Sequence, residues 1–287
     1  MAGSAQQQTP SASRYPSVRA WLDTKGLEGR SDRTLAWYRM TADRLGDFLG
    51  RDPKDATTAE VRAFLASLKP TNSNVSINNH RRNLNSYYQY LEDEDEIARS
   101  PMRRIRYIKE DRLVKLPFSD EELARIRSAA SSPRDAAMIA FLASTGCRVG
   151  ELVGVLKKDV DMHEREVKVY GKGGKERVTY FDAACKLALE RYAESRRDQD
   201  PHLFVGRCGA LTTGAVETVI RNVGRRAGVD NCHPHRFRRT VATRAIDRGM
   251  PIEQVKELLG HSQIQTTMIY ACVSREGVKT AHRRYLQ

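Results

Sequence analysis

Apolar residues recur at three- and four-residue spacing through the first hundred positions, and no clear strand pattern appears there. Leu35, Tyr38, Ala42, Leu45 and Leu49 lay one apolar stripe along a helix. Thr57 with Glu60 three residues on has the form of a capping box, and Val61, Phe64, Leu65 and Leu68 supply the next stripe until Pro70 stops it. Asn74 is placed to cap a longer helix carrying Ile77, Leu84, Tyr88 and Leu91. Residues 16–98 therefore read as a small helical bundle. Residues 1–15, rich in Gln, Ser, Ala and Pro, read as a disordered terminus.

A break follows at 99–115. Pro101 ends regular structure, and Arg103, Arg104, Arg106 and Lys109 crowd a short stretch that suits either a linker lying on phosphates or a merely solvated one. Residues 116–273 then switch pattern. Ser119 and Glu122 form a second capping box ahead of Leu123, Ile126 and Ala129, and Pro133 to Ser144 is apolar nearly all round, as a buried helix should be. Val167 and Val169 alternate with charged neighbours, as do Val178 and Tyr180, with Gly171, Gly173 and Gly174 between the two runs, which reads as a β-hairpin with a mobile tip. Helices follow near Ala183–Ser195, Thr213–Ala227, His235–Arg248 and Pro251–Leu259, with Pro251 suited to a first helical position and Gly260 to the stop. Residues 274–287 carry Val278, Ala281 and Tyr285 at helical spacing, an amphipathic tail suited to docking on a neighbouring protomer. The fold class is mainly α with a small antiparallel β-sheet, a helical-bundle N-terminal domain followed by a mixed α+β domain.

Charge adds a partner class. The 287 residues hold 49 Lys and Arg against 36 Asp and Glu, a net +13 that favours a polyanion, nucleic acid first, over a basic surface that binds nothing. No run is long enough to span a bilayer and no signal-peptide pattern opens the chain, so a cytoplasmic protein without a membrane partner is expected. The five cysteines, Cys147, Cys185, Cys208, Cys232 and Cys272, are odd in number and form no CxxC, so they read as reduced thiols. Cys232, His233 and His235 are the one metal-like cluster, but no matching second pair stands at usual spacing, so no metal site is expected.

Four separated pieces remain: TGCRVGEL around Arg148, GKGGK around Lys172 and Lys175, His235-Arg236-Phe237-Arg238, and LGHS with His261, nine residues before Tyr270. Cutting a phosphodiester needs a nucleophile, cations on the non-bridging oxygens and a proton for the leaving oxygen. Arg148 and Arg238 offer planar, permanently charged forks for phosphate oxygens. His235 and Arg238, three apart, share a helix face. His261 sits at a helix end, Lys172 on a hairpin tip is suited to protonate a leaving oxygen, and Tyr270 supplies a hydroxyl. Singly, each piece has an ordinary structural explanation; the combination in this order is far more specific.

Together, TGCRVGEL, GKGGKER, HPHRFRRTVATR and LGHSQIQTTMIY resemble the catalytic boxes of tyrosine recombinases, and are most similar to compact Xer recombinases and short integrases of phages and mobile elements. The family's Arg-Lys-His-Arg-His-Tyr set lands on Arg148, Lys172, His235, Arg238, His261 and Tyr270, and Glu151 resembles its supporting acid. Arg239 departs from the pattern, standing where many relatives carry His.

The resemblance implies a C-shaped clamp on double-stranded DNA, a homo-tetramer on paired sites, a 3′-phosphotyrosine made by Tyr270, and a Holliday junction. It implies no metal and no cofactor. It leaves open a monomeric state free in solution and an accessory directionality factor, and it sets the protein on the nucleoid of a bacterial or phage-infected cell. It makes Arg103, Arg104, Arg106, Lys109, Lys175 and Arg239 candidate DNA contacts. With no further N-terminal domain, of the sort larger phage integrases use on arm sites, integration or excision of a mobile element is the first expectation. The alternatives are chromosome dimer resolution, a type IB topoisomerase and a non-catalytic DNA-binding regulator.

Overall fold

The computed structural model describes residues 13–109, 116–171, 174, 176–207, 209–271 and 283. The chain divides into two compact units, residues 1–113 and 114–287.

The first unit is built from α1 (Pro16–Leu27), α2 (Asp32–Leu49), α3 (Thr58–Ser67) and α4 (Asn74–Asp93). The Thr57–Glu60 capping box is complete, with the Thr57 amide donating to Glu60 at 2.8 Å and the Glu60 amide to the Thr57 hydroxyl at 3.3 Å. Ser73 rather than Asn74 caps α4, its hydroxyl accepting from the Ser76 amide at 3.2 Å. Asn74 instead donates to the Lys109 carbonyl at 3.0 Å. The core closes around Trp21, stacked on Tyr38 at 4.7 Å and tilted against Tyr87 at 5.2 Å.

Two expected boundaries move. Ser13 and Tyr15, assigned by composition to a disordered terminus, hydrogen-bond to Asp43 and Asp47 of α2, and Tyr15 packs on Gly46, where a Cβ would sit 2.3 Å from its ring. The start of the expected linker is likewise part of this unit. Met102 and Ile105 are buried in its core, Arg81 donates to the Ile105 carbonyl, and the Asn78 side chain both donates to the Ile108 carbonyl and accepts from the Ile108 amide. Apolar residues interleaved with the arginines provide the anchoring area, while Arg103, Arg104, Arg106 and Lys109 stay exposed.

The second unit holds α5 (Asp120–Ser128), α6 (Pro133–Thr145), α7 (Val149–Gly154), β1 (Val160–Asp161), β2 (Glu166–Tyr170), β3 (Glu176–Tyr180), α8 (Ala183–Ser195), β4 (Val205–Gly206), β5 (Gly209–Ala210), α9 (Thr213–Arg226), α10 (Pro234–Asp247), α11 (Ile252–Leu259) and α12 (Gln265–Ala271). The first three strands form an antiparallel sheet in chain order, and β4 pairs with β5. Helix α6 buries Ala137, Met138, Ile139, Phe141 and Leu142 and packs on α8 and α10. Pro251 caps α11 from outside with extended backbone (ψ 139°), so the first helical residue is Ile252. The unit's first residues are fastened to α10, where Thr240 accepts from the Phe118 amide at 2.8 Å and Arg236 bonds Glu122 and the Leu116 and Pro117 carbonyls.

One strand faces opposite to its sequence pattern. Val167 pairs with Thr179 and Val169 with Arg177, so β3 turns Thr179 and Arg177 toward the core and leaves Tyr180 exposed. Polar residues are tolerated inward because each finds a partner, Thr179 donating to the Thr145 carbonyl at 3.2 Å and Arg177 to Glu151 at 3.0 Å. No helix among the described residues is long and apolar enough to cross a membrane.

Candidate active site

The site forms where α7, α10, α11 and α12 meet. Helix α6 ends on Gly146, whose φ of 59° is left-handed, and the chain turns so that Arg148 becomes the cap of α7. The Arg148 amide donates to Glu151 at 2.7 Å, and its guanidinium bonds the other Glu151 oxygen at 2.7 Å and the Gly260 carbonyl at 2.9 Å. Glu151 is buried, with 3% of its side chain exposed, whereas Arg148 keeps 38%. The fork is thus aimed by a carboxylate beneath it while one face stays open.

Arg238, on the buried side of α10, donates to the Gly146 carbonyl at 2.9 Å and to the Leu259 carbonyl. Burial, then repulsion from Arg148, holds its pKa down to about 10, still charged at neutral pH. Arg177, which the sequence reading passed over, donates to Glu151 and from Nε to the Leu258 carbonyl at 3.3 Å. Three guanidinium groups therefore rest on three consecutive carbonyls at the C-terminal end of α11, where the helix dipole is negative. Gly260 (φ 63°) ends that helix in a left-handed turn that a β-carbon would strain.

His261 follows directly. Its ring is buried, and Nδ1 lies 2.8 Å from the hydroxyl of Thr267 on α12. Burial, then Arg238, Arg148 and Arg177, lower its pKa to about 4, so the imidazole is neutral at neutral pH. His235 lies in the first turn of α10, and partial burial, then Arg238, Arg148 and Arg239, push its pKa down as well. Tyr270 stacks on His261 with ring centroids 6.0 Å apart and lies close to Arg238 and Arg239.

Five of the six residues expected to act together thus converge: Arg148, His235, Arg238, His261 and Tyr270. Lys172 lies outside the described residues, as do Lys175, Cys208, Cys272 and the tail segment 274–287 apart from Arg283. Arg239 is half-buried, with one guanidinium contact to the Leu116 carbonyl at 3.4 Å. Arg103, Arg104, Arg106 and Lys109 are exposed on the first unit and make no ion pair among the described residues. Cys147 is fully buried behind Arg148, where burial raises its thiol to about 12, so it packs rather than reacts. Among the described residues no group of His, Cys, Asp and Glu could hold a metal ion.

Arranged this way, the site can clamp an anion between fixed cations and set a tyrosyl hydroxyl against it. Residues 106–276 match the Phage integrase family, and residues 18–97 match its N-terminal SAM-like domain. A tyrosine recombinase XerC of Staphylococcus saprophyticus is 32% identical over 267 residues, covering 88% of this chain and 90% of that protein. The XerH site-specific recombinase bound to palindromic difH substrate in a post-cleavage complex aligns with a TM-score of 0.74 at 18% identity, over 94% of this chain and 85% of that one. A lambda integrase tetramer bound to a Holliday junction aligns with a TM-score of 0.73 at 19% identity, over 86% and 76%.

Proposed function

The chain belongs to the phage integrase family and is a tyrosine-type site-specific DNA recombinase, and from that premise we propose how its residues divide the reaction. Arg148 and Arg238 clamp the non-bridging oxygens of the scissile phosphate. The Tyr270 hydroxyl attacks phosphorus, a Tyr270 oxygen–phosphorus bond forms, and the bond to the 5′-oxygen breaks. Lys172 delivers the proton that lets the 5′-hydroxyl leave. Thr267 donates to Nδ1 of His261, which sets the imidazole proton on Nε2, where it donates to a phosphate oxygen. His235, kept neutral by its neighbours, is the next hydrogen-bonding group on the phosphate.

The energy of the broken ester is held in the 3′-phosphotyrosine, so the freed 5′-hydroxyl of a partner duplex reverses the step without nucleotide or metal. The arrangement that supports this reading is the seating of both arginine forks on the Leu259 and Gly260 carbonyls, immediately before His261 and against Tyr270. The strand exchange proceeds through a Holliday junction in a homo-tetramer, as in the solved lambda integrase assembly, with the tail 274–287 joining protomers. The protein acts in the bacterial cytoplasm, on the nucleoid. The folded divisions are a helical DNA-binding domain and a catalytic domain, with exposed Arg103, Arg104, Arg106 and Lys109 on backbone phosphates.

Integration or excision of a mobile element is the role proposed first. Similarity along nearly the whole chain to a XerC recombinase favours a second role, resolving two copies of one site in a replicon. A nicked suicide duplex, its core selected from a randomised library by covalent capture, tests the chemistry. Wild-type protein should give a detergent-resistant adduct and Tyr270→Phe none; an equal adduct from the variant removes Tyr270 as nucleophile. Sequencing junctions made in cells then separates the two roles.

A further inference from the structure

Glu151 has two cationic partners, and only one of them can reach a substrate. Arg148 bonds one carboxylate oxygen and leaves 38% of its side chain exposed. Arg177 bonds the other at 3.0 Å with only 14% exposed. It reaches that position from β3 through the room left by Gly260, where a β-carbon would lie 2.7 Å from its Cδ and Nε. Its Nε is spent on the Leu258 carbonyl, and its Nη1 is buried with no partner among the described residues. Arg177 is therefore walled off from any bound phosphate.

The charges do not cancel evenly without it. Around Glu151 stand three guanidinium groups, Arg148, Arg177 and Arg238, and one carboxylate, so two positive charges remain. Remove Arg177 and Glu151 has only Arg148 to neutralise it, leaving one. A phosphoryl transition state carries more negative charge than the bound ester, so the second charge matters most there.

We propose that Arg177 is a positioning residue of the recombination site that neutralises Glu151 and so frees the charge of Arg148 for the scissile phosphate. This rests on the proposed use of Arg148 as a phosphate clamp. Glu151 aims the fork, Arg177 balances Glu151, and the same Arg177 side chain ties β3 to the end of α11. The division explains why a buried carboxylate sits beneath a residue whose positive charge is needed.

The test is a charge-compensation cycle on the nicked duplex selected by wild-type protein. Arg177→Met should lower the single-turnover cleavage rate about a hundredfold, the scale of losing one fixed transition-state charge, with DNA affinity nearly unchanged. The double variant Arg177→Met with Glu151→Gln restores two net charges and should cleave roughly tenfold or more faster than Arg177→Met alone. A merely structural strut predicts the reverse, since removing a second partner loosens the site further. A folded double variant no faster than the single overturns the proposal. Should Arg177→Met fail to fold, Arg177→Lys decides, because it keeps the charge without the fork. Cleavage within about tenfold of wild type upholds the proposal, and a folded variant slower by about a hundredfold or more overturns it. No covalent capture by wild-type protein would instead remove the phosphate-clamp reading itself, and this inference with it.

Discussion

Nδ1 of His261 lies 2.8 Å from the Thr267 hydroxyl, with both side chains buried, so the imidazole is tied to the helix that carries Tyr270 one turn further on. One contact thereby joins the imidazole that follows α11 to the helix bearing Tyr270.

Thr267→Val keeps the shape and removes the hydroxyl. A hydrogen bond to a buried ring is worth about 1–3 kcal/mol, so cleavage of the nicked duplex should slow about tenfold or more. DNA affinity should hold. Cleavage at the wild-type rate would show that Thr267 does not orient His261.

Stability should depend on pH through the same ring. Its folded pKa is near 4 against an ordinary 6.5, so in that interval the unfolded chain binds the extra proton. The contribution of neutral His261 is complete above about pH 6.5, declines as pH falls toward 4, and changes no further below. At about 1.4 kcal/mol per unit, discounted for screening, the loss is about 2 kcal/mol. His261→Gln should flatten the dependence of the urea midpoint on pH over this window; parallel curves for the two proteins would contradict the assignment.

Gly260→Ala combines a left-handed φ of 63° with a β-carbon 2.7 Å from Arg177. Strain alone costs about 1–2 kcal/mol, and Arg177 must also leave its seat. We expect a lower unfolding midpoint together with a cleavage defect of about tenfold or more. A destabilised protein that cleaves normally would mean that the arginine relocates without consequence.

Lys172 can be separated from Lys175 chemically. Lys172→Ala should cut an ordinary strand very slowly, yet cut a strand with sulfur at the 5′-bridging position near the wild-type rate, because a thiolate leaves without a proton. Lys175→Ala should show a smaller defect and no rescue. Rescue confined to Lys175→Ala would transfer the proton donor to that residue.

Much of this architecture was legible because its signals are local. The boxes at Thr57–Glu60 and Ser119–Glu122 need only three-residue spacing, and both form as read. So do the α8 boundaries, and β2 and β3 form where the two alternating runs lie. The errors come from partners distant in sequence. Val178 and Tyr180 looked like the inward face of β3, but Glu151 and the α11 carbonyls draw Arg177 inward, and Thr145 draws Thr179. The basic run after Ser100 looked free because its anchors, Asn78 and Arg81, lie over twenty residues upstream. Helix α1, with its Pro16 start, and the two-residue strands β4 and β5 carried too short or weak a pattern to be assigned individually. Of the site itself, Arg148, His235, Arg238, His261 and Tyr270 were legible by type and order, while Arg177 and Thr267, which hold them, have no chemistry that a spacing reveals.

The end of α11 also limits how this protein can be recombined with its relatives. Its last three carbonyls receive guanidinium groups from β3, from α10 and from the start of α7, three stretches far apart in the chain. A chimera with a crossover between Gly146 and Gly260 would join donors from one parent to acceptors from another, across a helix end with a glycine-specific turn. Crossovers placed outside that span carry the whole bonded set from one parent. Retargeting by exchange of segments is thus best confined to the first unit, where the helices share none of these bonds.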